Sequence, residues 1–249
     1  MIWYKSWLET RWRFLIGLAL LLCSAAGSVL VYPEVLRLLP ALPVNLTGEL
    51  GRRVREAADL ARSFRGYVWS NWFRQNLSHG VTLFAALLGT AGLLSNSGGT
   101  LFTLSLPLSR RRLLAVRAAT GLAELFILTI VPSLLLPVLA SAVGASYSVA
   151  DALIHSLCAF VASSLFFCLA FLLSTVFDDP WRPLLIALGV ALLVLIVDQV
   201  SSNYSVFRVM SGETWFRSGR LPWSGLLATA SLSALLYGSA VVNFARRDY

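Results

Sequence analysis

Apolar residues in this chain come in long uncharged runs rather than in one-sided stripes. That is the pattern of helices surrounded by lipid, not of helices with one face in water. The first run, 14–32, follows Lys5, Arg11 and Arg13 and closes at Pro33-Glu34. At about 19 residues it is long enough to stay in a bilayer, and it reads as a retained signal-anchor helix rather than a cleaved signal peptide. The second, 79–95, contains Gly80, Gly89 and Gly92, small residues that let helices approach closely in lipid. The third, 113–143, carries Pro132 and Pro137, which predict a kink or an early end. The remaining runs are 152–177, 184–200 and 221–244. The pattern predicts an all-α polytopic membrane protein, one domain over 1–249 with six transmembrane helices.

Between the runs the pattern changes. In 1–13, Trp3 and Trp7 stand four apart, as do Lys5 and Glu9, and Glu9 and Arg13. A helix there has an indole face and a charged face, the composition of an interfacial helix leading into the first span. The outer loop 33–78 begins irregularly, with Pro33, Pro40 and Pro43. Its second part has helical spacing at Leu50, Val54, Ala57, Ala58, Ala61 and Phe64, with Thr47 as N-cap and i,i+4 pairs at Glu49/Arg53, Arg52/Glu56 and Arg55/Asp59. This basic amphipathic helix runs into Trp69, Trp72 and Phe73, so it either lies on the outer interface or forms a solvated hairpin. The loop before the last run holds Tyr204, Phe207, Trp215 and Phe216, and either dips into the interface or lies over the bundle.

Composition agrees. Of the 249 residues 57% are apolar and 13% charged, against about 25% charged in soluble domains. The net charge of +8 belongs to basic ends and loops at lipid headgroups, not to nucleic-acid binding. With both termini inside, ten basic residues fall on each face, a tie. The inner ten lie closer to span ends, which favours cytoplasmic termini. Lys5 is the only lysine, so the chain lacks the Gly-x-x-x-x-Gly-Lys-Ser/Thr loop of an ATPase. His79 and His155 stand far apart, and no metal-ligand spacing occurs. Cys23, Cys158 and Cys168 lie in apolar runs and read as small hydrophobes.

Glu124 is the chemical anomaly. It follows Leu113 by eleven residues, or about 16 Å of helix, which is mid-bilayer unless the helix begins as late as Ala118. A charge there costs roughly 2.5 to 3.5 kcal/mol. No basic residue lies inside a run to pair with it, which leaves protonation, a Ser/Thr partner or water. Glu124 is therefore either a buried residue of a transport path or, with the later helix start, a packing carboxyl nearer the inner surface. Asp151, His155 and Asp198 lie near outer ends of spans, placed to reach headgroups or each other.

The segment between the second and third runs is the most motif-like. A short apolar stretch, too brief to span, precedes Pro107, then Ser109 as N-cap and Arg110, Arg111 and Arg112. Gly99-Thr100-Leu101, Leu104, Leu106-Pro107, Ser109-Arg110, Leu113-Leu114 and Arg117 resemble the loop of type 2 ABC exporter permeases. The six-span layout and basic aromatic N-terminus extend the resemblance over most of the chain. It implies a short cytoplasmic coupling helix in which Gly99, Thr100, Leu101, Phe102, Leu104 and Pro107 dock a separate ABC ATP-binding subunit. It also implies that Trp3, Lys5, Trp7, Glu9 and Arg13, with Arg110 to Arg112, line the cytoplasmic membrane interface. On this resemblance the chain is a cell-membrane permease with both termini cytoplasmic, a homodimer or a heterodimer with a related permease, and not an enzyme by itself. ATP and Mg belong to the partner, and this chain binds no cofactor. One departure is Asn96-Ser97-Gly98, where the family often has acidic and basic residues.

Two other classes stand beside this one. Gly144-Ala145-Ser146 and His155 prompt a rhomboid-like intramembrane serine protease, but that family needs a histidine on a later span and none follows His155. A self-sufficient channel or carrier needs buried charges in several spans or an internal repeat, and only Glu124 answers. The transported substrate is not legible.

Overall fold

A computed structural model describes residues 2–41, 48–90, 110–177, 179–200 and 205–246. All regular structure among them is helical. Among the described residues five helices are long and apolar enough to cross a membrane: Trp3–Leu30, Arg111–Val143, Val149–Ser174, Trp181–Asp198 and Trp223–Arg246. The chain is a membrane-embedded helical protein.

The first of these belongs to α1 (Ile2–Leu30), a single unbroken helix. The expected interfacial segment 1–13 is thus not set off from the span. No proline or glycine occurs between Ile2 and Ile16 to turn the chain out of line, so the aromatic and charged residues simply extend the helix. Pro33 then opens α2 (Tyr32–Leu38), where its missing N–H is harmless. The amphipathic helix of the outer loop is α3 (Gly48–Ala61), and Thr47 lies outside the described residues. Ser63 caps α4 (Phe64–Val68) by accepting from the Gly66 N–H.

From α4 the helix continues without a break through a π-helical stretch, Trp69–Leu77, into α5 (Ser78–Gly89). The run 79–95 is therefore represented by a twelve-residue α-helix on a wider helical stem, and 91–95 lie outside the described residues. Trp69, Trp72 and Phe73 are completely buried. These three side chains, into which the amphipathic helix runs, point neither to an interface nor to solvent. The indole N–H groups find acceptors inside the bundle, Trp69 at the Ser211 carbonyl and Trp72 at the Ser133 hydroxyl, which removes the cost of burying them.

α6 (Arg110–Ala140) continues through Pro132 and Pro137. α7 (Val149–Ser174) is the central helix, packed against α5, α6, α8 (Trp181–Val200) and α11 (Trp223–Arg246). Its contact with α5 is close. A Cβ on Gly89 would stand 2.5 Å from the Phe167 carbonyl, so only glycine fits there. The aromatic loop before α11 lies over the bundle as α9 (Val206–Ser211) and α10 (Glu213–Ser218), with Phe207 and Met210 buried.

Candidate functional site

α1 and α6 both start at the same end of the bundle and run side by side, and α5 finishes there. Three residues on one face of α1 fasten it to these neighbours. Glu9 pairs with Arg117 Nη2 on α6 at 3.0 Å. Thr10 Oγ1 and Glu124 Oε1 share a hydrogen bond of 2.5 Å. Arg13 Nη1 donates to the Leu87 carbonyl at 2.8 Å, in the last turn of α5, where a helix has unpaired carbonyls and its dipole favours a cation. Positions 9, 10 and 13 fall within about one turn, so one helix face makes all three contacts.

Glu124 therefore has the Ser/Thr partner that its isolation in the sequence called for, and that partner is Thr10. It is 4% exposed, and its Oε2 has no hydrogen-bond partner. The Ser6 hydroxyl, one turn before Thr10 on the same face of α1, is likewise buried without a partner. Arg13 and Arg117 do lie within long apolar helices, contrary to the expectation that no basic residue would: α1 begins well before the run 14–32, and Arg117 stands inside the run 113–143 itself. Neither bonds to Glu124, since each is held elsewhere. Arg117, 14% exposed at its side chain, has Glu9 as the counter-charge that offsets part of its desolvation.

Of the expected interface residues, Trp3, Trp7, Glu9, Arg111 and Arg112 are exposed, while Lys5 and Arg13 are half-buried. Arg110 opens α6. Gly99, Thr100, Leu101, Phe102, Leu104 and Pro107 lie outside the described residues, within 91–109. The contacts of Arg13 with Leu87, of Glu9 with Arg117 and of Thr10 with Glu124 nevertheless hold the two helices that flank that segment. Thr10 was not singled out in the sequence; with Ser6 one turn earlier it is a small polar residue on one face of α1, and nothing in 1–13 alone names Glu124 as its partner.

A second polar cluster closes the other end. The Ser211 carbonyl accepts from Trp69 Nε1 at 3.1 Å and from His155 Nδ1 at 2.9 Å. Asp151 accepts from Arg65 Nε at 2.9 Å and Trp215 Nε1 at 3.0 Å. The rings of Phe73 and His155 stack at 4.7 Å, and Trp69 stacks on Phe216 at 4.3 Å. Burial, with the Asp151 charge adding to it, raises the Tyr147 phenol above its ordinary range. Asp151 and Asp198 do not reach each other. Asp198 lies 3.9 Å from Arg208. Ser146 is exposed and His155 fully buried, and no hydrogen bond joins them among the described residues.

Comparison with protein-family models, with curated proteins and with solved structures finds no match to this chain.

Proposed function

We propose that this chain is the transmembrane subunit of an ATP-binding-cassette exporter, forming the translocation path and driven by a separate ATPase. The observation that carries the reading is the segment 99–117, whose Gly-Thr-Leu, Leu-Pro and Ser-Arg positions resemble the coupling loop of type 2 exporter permeases. Its flanking helices support the reading by their fastening. Leu87, near the end of α5, and Arg117, near the start of α6, are both tied to the first turns of α1. A push on the intervening loop is thereby delivered to three helices at once, which is what a subunit powered from outside the membrane requires.

In this reading the helical stretch from α4 through α5 belongs to the second of six spans. The end of the bundle that holds both termini faces the cytoplasm. Trp3, Trp7, Arg111 and Arg112 sit at its headgroups. The partner holds ATP and Mg, and two permease chains, identical or related, complete the path. Affinity purification of the tagged chain in mild detergent tests it. ATPase activity is expected to accompany the wild-type protein and to be lost with Leu101→Glu/Phe102→Glu. Purification with no ATPase activity, or activity unchanged in that variant, overturns the reading.

A further inference from the structure

We infer that Glu124 is a proton-binding site, its carboxyl held neutral in the seam between α1 and α6. This does not depend on an ATP-binding partner. The argument starts from a count of hydrogens. Thr10 has one hydroxyl hydrogen, yet three acceptors surround its oxygen: Glu124 Oε1 at 2.5 Å and the Ser6 and Trp7 carbonyls, each at 3.3 Å. A hydroxyl can donate once and accept twice. If Glu124 were ionised, that single hydrogen would have to serve the carboxylate, and Oε2 would remain a buried, charged oxygen with no partner. With a proton on the carboxyl, the 2.5 Å contact runs from Glu124 to Thr10, and the threonine hydrogen turns to its own helix. Oε2 is then a neutral carbonyl oxygen, whose lack of a partner is far less costly than that of a charge.

The neighbouring charges do not supply a counter-ion. From α1, Glu9 and Arg13 face this layer, with Lys5 one turn further out. From α6 comes Arg117, which pairs with Glu9, while Arg13 is held by the Leu87 carbonyl of α5. α7 brings the Cys168 thiol to the level of Ala118 and Leu122, and α5 carries no ionisable side chain beyond His79. A metal cation is the poorer occupant. Only Glu124 Oε2 and the Ser6 hydroxyl are unpartnered here among the described residues, whereas hard cations take about six oxygens. Loss of the proton places a bare charge in a buried seam, so the seam has to admit water or part. The proton thus sets how tightly the first turns of α1 grip α6.

Infrared spectra of the full-length detergent-solubilised protein test this. At neutral pH the wild type is expected to show the C=O stretch of a protonated carboxylic acid that is missing from Glu124→Gln. Thr10→Val is expected to keep that band and move it to higher frequency, because the hydrogen bond is gone, and this shift alone assigns the band if Glu124→Gln does not fold. A wild-type spectrum without the band, a band that Thr10→Val leaves in place, or one abolished by adding sodium or potassium chloride overturns the inference.

Discussion

Thr10 and Glu124, 114 residues apart in the chain, meet at 2.5 Å in the buried seam between α1 and α6. The contact ties the first turns of the protein to the helix that follows the segment 91–109. Replacing Thr10 by valine keeps the volume but strands the carboxyl without a partner. The expected cost is about 1–3 kcal/mol, read as a lower melting temperature in detergent. Glu124→Leu combined with Thr10→Val is expected to cost less than the sum of the two single changes, because the stranded group is then gone.

The Glu9–Arg117 pair is unequal in exposure, 38% for the acid and 14% for the guanidinium at their side chains. The two truncations are therefore expected to differ. Glu9→Ala leaves a buried cation unpaired and is expected to cost up to about 3–5 kcal/mol. Arg117→Ala leaves a carboxylate that reaches solvent and is expected to cost clearly less. Melting curves of the two variants side by side check the order.

Five of the six expected spans were legible in the sequence because lipid forces each crossing segment to satisfy its own backbone, which leaves long apolar runs as a signature. α3 was legible from spacing and paired charges. What escaped was side-chain pairing between distant helices. Nothing local marks Thr10 as the partner of Glu124, since that depends on which faces meet. Trp69, Trp72 and Phe73 misled in a different way. Tryptophans before an apolar run suggest an interface, but here Ser133 and Ser211 satisfy the indoles inside the bundle. The π-helical stretch Trp69–Leu77 leaves the hydrophobic pattern unremarkable, so the run 79–95 gave no sign that its helix has a wider stem. The candidate docking residues were named by resemblance alone.

At the opposite end, Gly212 has a φ of +63°, and a Cβ there would stand 2.5 Å from His155 Nδ1. Gly212→Ala meets backbone strain and a clash together, and is expected to destabilise by more than about 1–2 kcal/mol. Trp69→Phe removes one of two donors to the Ser211 carbonyl, and is expected to cost about 1 kcal/mol. Thermal unfolding followed by tryptophan fluorescence, with a circular dichroism control for Trp69→Phe, ranks the two.

Asp151 is held by Arg65, half-exposed at its side chain, and by the Trp215 indole. Asp151→Asn keeps an acceptor for the indole and loses only the ion pair. The expected loss is at most about 1 kcal/mol, and smaller still in high salt. Melting temperatures at low and high salt check both parts.

The central claim is that residues 99–107 seat on an ATP-binding subunit, and photo-crosslinking from position 101 in native membranes tests it most directly. A crosslinker at Leu101 is expected to capture a protein bearing a Gly-x-x-x-x-Gly-Lys-Ser/Thr loop. The same group at Leu227, 63% exposed on α11, is expected to capture none. Failure to capture an ATP-binding protein from position 101, or equal capture from both positions, would contradict the account.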